Sequence, residues 1–130
     1  MAHFILEYSA NLKADQLNLD GLFAALTESA VTSNIFPLAG IRCRAHKCKD
    51  FLVAGETKTF AFVHLNFRIG AGRTEEQKAQ VAKTLFDILS HHLSAIFTSQ
   101  GLAISFELSE LAEHKFNQNN LRDYLVSSAS

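Results

Sequence analysis

The apolar residues of this chain change period from two to about 3.6 and back again, and they do so twice in the same order. A short run at His3 to Tyr8, aromatic and aliphatic and closed by Ser9-Ala10-Asn11, suits a strand. From Asn18 onward, Leu19, Leu22, Phe23, Leu26 and Ala30 recur at three and four, with Asn18 placed to cap and Asp20 in the first turn. The spacing predicts a helix over about 19–33. After Phe36-Pro37, residues 40–49 alternate: Ile41, Cys43 and Ala45 on one side, Arg42, Arg44, His46 and Cys48 on the other. Residues 49–58, with Asp50, Gly55, Glu56 and Thr57, read as a turn region before a strand over 59–69.

The second half repeats the order. Thr74 stands three residues before Gln77, the spacing of a capping box, and Val81, Leu85, Ile88, Leu89, Leu93, Ile96 and Phe97 define one buried face. Gly101 ends this helix as a residue suited to the left-handed conformation. Residues 102–108 form a fourth strand, and an irregular polar tail follows around Asn117-Gln118-Asn119-Asn120. Two β-α-β units, each with a right-handed crossover between parallel strands, predict an α+β fold. The sheet has four strands, mixed in direction, with two helices on one face. The other face is left open; read as largely apolar, it is expected to be covered by other copies in cyclic symmetry.

Composition sets limits on function. At 130 residues, 48% of them hydrophobic, the chain is expected to be a single domain spanning 1–130 with one core. Twelve basic and 13 acidic residues nearly cancel, so no global positive field drives nucleic-acid or anionic-membrane binding. Any anion site is local. Neither a basic segment before an apolar run nor 18 consecutive apolar residues occurs, and two reduced cysteines suit a cytoplasmic location.

Several blocks resemble the 5-carboxymethyl-2-hydroxymuconate isomerase family of the tautomerase superfamily: the opening Met-Ala-His-Phe-Ile-Leu-Glu-Tyr-Ser, the segments Phe36 to Arg42, Ala61 to His64 and Ile69 to Arg73, then Leu108 to Leu111 and Phe116 to Asn120. They cover essentially the whole chain in order. The resemblance implies a homotrimer of β-α-β-β-α-β subunits, free of metal or organic cofactor, that moves a double bond and a proton in a dicarboxylate or tricarboxylate dienol of aromatic-acid breakdown. It also implies an N-terminal amine as base and two arginines, here Arg42 and Arg73, that bind and polarise a small-molecule carboxylate. Arg44 shares a strand face with Arg42 and is a further candidate for substrate binding.

Chemistry agrees with that assignment of roles. A proton shift between carbons needs a base near neutral pKa, and an α-amine at about 7.7 to 8.0 is close to it. Guanidiniums supply fixed, planar, bidentate donors for carboxylates and a developing dienolate. The family's terminal residue is proline, whereas Ala2 follows Met1 here. With Met1 removed, Ala2 offers a primary amine as the catalytic group, which also has the chemistry to form an imine with a 2-oxo acid. With Met1 kept, the amine lies one residue further out, Ala2 contributes only an amide, and the mechanism that the resemblance implies fails. The alternative function is a catalytically impaired homotrimer that binds carboxylates or serves as an interaction module.

Other features carry less. Gly70-Ala71-Gly72 lacks the spacing of a phosphate loop and reads as a turn. Cys43, His46 and Cys48 lie within six residues, but alternation puts Cys43 opposite the other two, so no metal site is expected. His91 and His92 late in the second helix suit the negative end of its dipole, and no role is assigned to His3.

Overall fold

The computed structural model describes residues 1–56 and 58–129. Strand β1 (Ala2–Ser9) leads into a one-turn helix α1 (Ala14–Leu17) and helix α2 (Leu19–Thr32). A 3-10 turn (Leu38–Gly40) precedes β2 (Ile41–Cys48), and β3 (Ala61–Ile69) follows. Helices α3 (Glu75–His92) and α4 (Ser94–Ser99), strand β4 (Leu102–Glu110) and helix α5 (Leu121–Ala129) complete the chain. The strands form one mixed sheet in the order β2-β1-β3-β4. Each β-α-β unit pairs its strands in parallel, β1 with β2 and β3 with β4, while β1 and β3 run antiparallel.

Alternation decides which side of the sheet is dry. Ala2, Phe4 and Leu6 of β1 and Ala61, Val63, Leu65, Phe67 and Ile69 of β3 point to the helices and are buried. Leu22, Leu26 and Ala30 of α2 and Val81, Leu85 and Leu89 of α3 close over them at helical spacing. Phe4 and Phe67 face each other in register and stack with ring centroids 4.2 Å apart, and Phe36 meets Phe67 edge-on at 5.0 Å.

The open face corrects the expectation of an apolar surface. His3, Arg44, His64, Asn66, Arg68 and Glu107 all stand on it, with Ile5, Phe62 and Ala103 as its apolar members. His64 bridges to Ser105 through Nδ1 at 2.6 Å and to Glu107 through Nε2 at 3.1 Å. The physical reason is the period of two: the apolar residues of β1 and β3 sit one position away and are already spent on the helical side.

Helix boundaries show where local signals held. Asn18 caps α2 by accepting from the Gly21 amide at 3.3 Å, and its left-handed backbone joins α1 to α2. Thr74 and Gln77 form the reciprocal capping box of α3, at 3.1 and 2.9 Å. The second helix, expected unbroken, turns at Leu93, whose side chain is fully buried. That break brings Ile96 inward and leaves Phe97, expected on the buried face, 58% exposed.

Gly101 is not left-handed either; the positive-φ glycines among the described residues are Gly55 and Gly72. Its need is space, since a Cβ there would collide with the Phe60 ring. Ala54 and Gly55, both at positive φ, make the tight turn between Val53 and Glu56 in the expected turn region; Thr57, also expected there, lies outside the described residues. The tail expected to be irregular carries α5, begun where Asn119 Oδ1 accepts from the Leu121 amide at 2.8 Å. His92 lies at the end of α3, and its Nε2 donates to the Leu17 carbonyl at 2.7 Å, tying α3 to α1.

Candidate active site

The chain terminus, the start of β2 and the turn after β3 meet at one end of the sheet. Ala2 is paired with Ile41 on one side and Ile69 on the other. This central position brings residue 1 between two glycines. The Gly70 amide donates to the Met1 carbonyl at 3.2 Å, and a Cβ on Gly40 would sit 3.5 Å from the Met1 nitrogen. The Met1 amine is held below its usual value, first by partial burial, then by the charges of Arg73, Arg42 and Lys115. Lowering favours the neutral, proton-accepting form. Ala2 itself turns its methyl group into the core and is buried.

Arg73 is fixed by backbone and ring together. Its Nη1 donates to the Gly70 carbonyl at 3.1 Å and its Nη2 to the Ile35 carbonyl at 2.6 Å. Its guanidinium carbon lies 4.6 Å from the centroid of Phe36, the ring that packs on Phe67 in the core. The positive φ of Gly72 turns the chain ahead of Arg73 and the α3 cap, so Gly70-Ala71-Gly72 acts as a turn. All of these partners are neutral, so the charge of Arg73 stays uncompensated.

Arg42 and Arg44 flank His3 on the open face. Arg44 Nη1 lies 3.1 Å from His3 Nδ1, and Arg42 Nη1 lies 3.5 Å from His3 Nε2. Guanidiniums only donate, and a neutral imidazole has one accepting nitrogen, so one of these contacts at most is a hydrogen bond. The shorter one, from Arg44, takes that nitrogen. His3 then carries its proton on Nε2 facing Arg42, which is left without an acceptor for that arm. Burial, followed by Arg44, Arg42, the chain terminus and Arg68, holds His3 below the usual histidine range and therefore neutral.

The structure thus brings Arg42 and Arg73 to one amine, with Arg44 one step back behind His3. Lys115 escaped the sequence reasoning because it sits in the polar tail, where its neighbours give no periodicity and no cap; only the fold returns it to the terminus. Cys43 lies on the helical side, 3.4 Å from Thr27 Oγ1, and burial raises its thiol pKa. His46 is exposed on the opposite side, so the two do not converge. Among the described residues no group of three His, Cys, Asp or Glu side chains stands close enough to hold a metal ion. No helix of those residues is long and apolar enough to cross a membrane.

A groove of about 590 Å³ lies between α2 and α3, lined by Ser29, Thr32, Gln77, Val81 and Thr84 among others. Its hydroxyls offer little to a ligand, because Thr32 and Thr84 already donate to carbonyls one turn back in their own helices. Cationic groups converge at the terminus and not there.

Known proteins share this arrangement of chain. Residues 2–125 match the family described as 5-carboxymethyl-2-hydroxymuconate isomerase. The 5-carboxymethyl-2-hydroxymuconate Delta-isomerase of Escherichia coli is 40% identical over 122 residues, covering 93% of this chain and 96% of that protein. The crystal structure of a 5-carboxymethyl-2-hydroxymuconate isomerase from Deinococcus radiodurans R1 superposes with a TM-score of 0.88 at 35% identity, over 95% of this chain and 93% of that one. A fused 4-OT solved as a symmetric trimer shares the fold at a TM-score of 0.68 and 21% identity, over 89% of this chain and 93% of its own. With one family matched from the second residue to the last helix, and relatives this similar along nearly their whole length, the chain belongs to the 5-carboxymethyl-2-hydroxymuconate isomerase family.

Proposed function

We propose that this protein is a cofactor-independent isomerase that ketonises an unsaturated 2-hydroxy acid of the 5-carboxymethyl-2-hydroxymuconate type, in the cytoplasmic breakdown of aromatic acids. The observation that carries the proposal is a chain terminus beside Arg42 and Arg73, whose charges lower the Met1 amine, in a chain 40% identical to an isomerase of that name. Once Met1 is removed, the neutral Ala2 amine takes the hydroxyl proton of the dienol. Arg42 and Arg73 hold the carboxylates and spread the negative charge of the dienolate over fixed donors. The ammonium returns the proton to carbon as the double bond shifts, so composition is unchanged and the amine is regenerated.

Loss of Met1 makes the amine that of Ala2 and vacates the space beside Gly40. The Gly70 amide, now donating to the Met1 carbonyl, becomes free to donate to a substrate oxygen. Ala2 in place of proline gives a primary amine, more strongly hydrated as the ammonium than a ring nitrogen. Trimeric assembly is supported by the symmetric trimer of the same fold; the polar open face removes the apolar surface first expected to drive it. Light scattering tests it, and a monomeric mass refutes it.

The deciding assay follows loss of dienol ultraviolet absorbance with 5-carboxymethyl-2-hydroxymuconate, for the natural chain and Ala2→Pro, with intact mass fixing each terminus. Turnover by the natural chain is the expected result. Turnover by the proline variant alone means an intact pocket without a competent base, and a carboxylate-binding role replaces the isomerase.

A further inference from the structure

We propose that Lys115 is a third cationic anchor of this site, holding the one carboxylate of a three-carboxylate substrate that Arg42 and Arg73 do not reach. The inference deepens the isomerase reading and rests on it in treating that anion as substrate.

The segment after β4 is a strap with both feet beside residue 1. At one foot the Leu111 amide donates to the Ile69 carbonyl at 2.7 Å, and the next residue, Gly70, holds the Met1 carbonyl. At the other foot Asn119 Nδ2 donates to the Ala39 carbonyl at 2.8 Å, and the next residue, Gly40, lies against the Met1 nitrogen. Lys115 stands midway, four residues from each foot. A chain pinned at these two points passes the terminus, and the charge of Lys115 is felt there together with those of the two arginines.

Charge balance makes the lysine informative. Its Nζ donates only to the Ala112 carbonyl, at 3.3 Å, and among the described residues no carboxylate lies within ion-pair distance of it. Arg73 spends its contacts on neutral carbonyls, and Arg42 faces a neutral imidazole. Arg42, Arg73 and Lys115 are the three cations felt at the amine, and none of them is ion-paired among the described residues, while Arg44 and Arg68 act on His3 further along the open face. A dicarboxylate leaves one of those three unmatched; a tricarboxylate matches all three.

The test compares the natural chain, Lys115→Gln and Lys115→Arg, each of verified terminus, by calorimetric titration with propane-1,2,3-tricarboxylate and with glutarate. Steady-state rates with 5-carboxymethyl-2-hydroxymuconate and with 2-hydroxymuconate run alongside. A dedicated charge-assisted contact predicts that Lys115→Gln weakens the tricarboxylate about tenfold more than the dicarboxylate, in Kd and in KM alike, with Lys115→Arg largely restoring it. Equal weakening of both acids, no weakening, or no preference of the natural chain for three carboxylates overturns the proposal. Titration reads binding without turnover, so a chain that binds selectively but does not isomerise refutes the isomerase reading and leaves Lys115 as the anchor.

Discussion

Arg73 Nη2 donates to the carbonyl of Ile35 at 2.6 Å across 38 residues of sequence, locking the turn before α3 to the segment that leads into β2. The same guanidinium holds the Gly70 carbonyl and covers Phe36, so one side chain both presents a charge and closes the core beneath it. Arg73→Ala is therefore expected to cost about 1.5–3 kcal/mol of stability, read by urea denaturation, and to lower kcat/KM by about 10²-fold or more. Arg73→Lys keeps the charge but not the fork, and is expected to fall between the two. Full stability in Arg73→Ala refutes the structural half of this role.

Arg42 separates binding from folding. Among the described residues its one polar side-chain contact is that to His3 at 3.5 Å, which is not a competent hydrogen bond when Arg44 takes the acceptor. Arg42→Gln is expected to change stability by less than about 0.5 kcal/mol while raising KM several-fold or more. A large stability loss with unchanged KM contradicts the assignment.

The pH profile follows from the lowered amine. Activity requires a neutral amine, and the arginines that lower the Met1 amine stand at the same end of the sheet as Ala2, so kcat/KM of the chain lacking Met1 is expected to rise with pH and level off with an inflection below 8.0, the usual value for a terminal amine. Arg42→Gln removes one repelling charge and shifts that inflection upward. An inflection at or above 8.0 in the natural chain removes the electrostatic account.

Stability is expected to fall in acid for a related reason. His3 is lowered in the folded state, so the unfolded chain binds its proton first as pH drops. The contribution is complete above the usual histidine value and is lost as pH falls through the lowered one, where His3 becomes a cation between Arg44 and Arg42. His3→Gln is expected to flatten this part of the stability curve, measured by denaturant midpoints from pH 7 down to 5.

Gly101→Ala tests a packing claim. The added methyl falls on the Phe60 ring, which must move, and overpacking of this kind costs about 1–3 kcal/mol. Phe60→Leu in the same chain is expected to recover part of the loss. An unchanged midpoint in the single variant shows that Phe60 yields freely.

Arg42, Arg73 and the terminus were singled out in the sequence by short blocks that resemble one family, and the structure brings them to one end of the sheet, where their roles are those proposed above. Helix starts were legible too, where Asn18 and the Thr74–Gln77 pair act within one turn. Gly101 misled, since a glycine after a helix serves conformation or space and sequence does not say which. The Asn119 cap of α5 was available as a local signal in the polar tail, yet the same amide-rich run also fits a loop.

The sequence by itself determined the four strands, the two long helices and their order, because periodicity and capping are properties of neighbours along the chain, but not α1, the break at Leu93, α5 or the polarity of the open face. Tertiary structure alone decided what crosses it: which nitrogen of His3 faces Arg44, which carbonyls hold Arg73, and the return of residues 111–119 to the first residue. Electrostatics and hydrogen bonding depend on distance in space, and residues 1, 42, 73 and 115 become neighbours only when β1 lies between β2 and β3 and the strap is pinned at both feet.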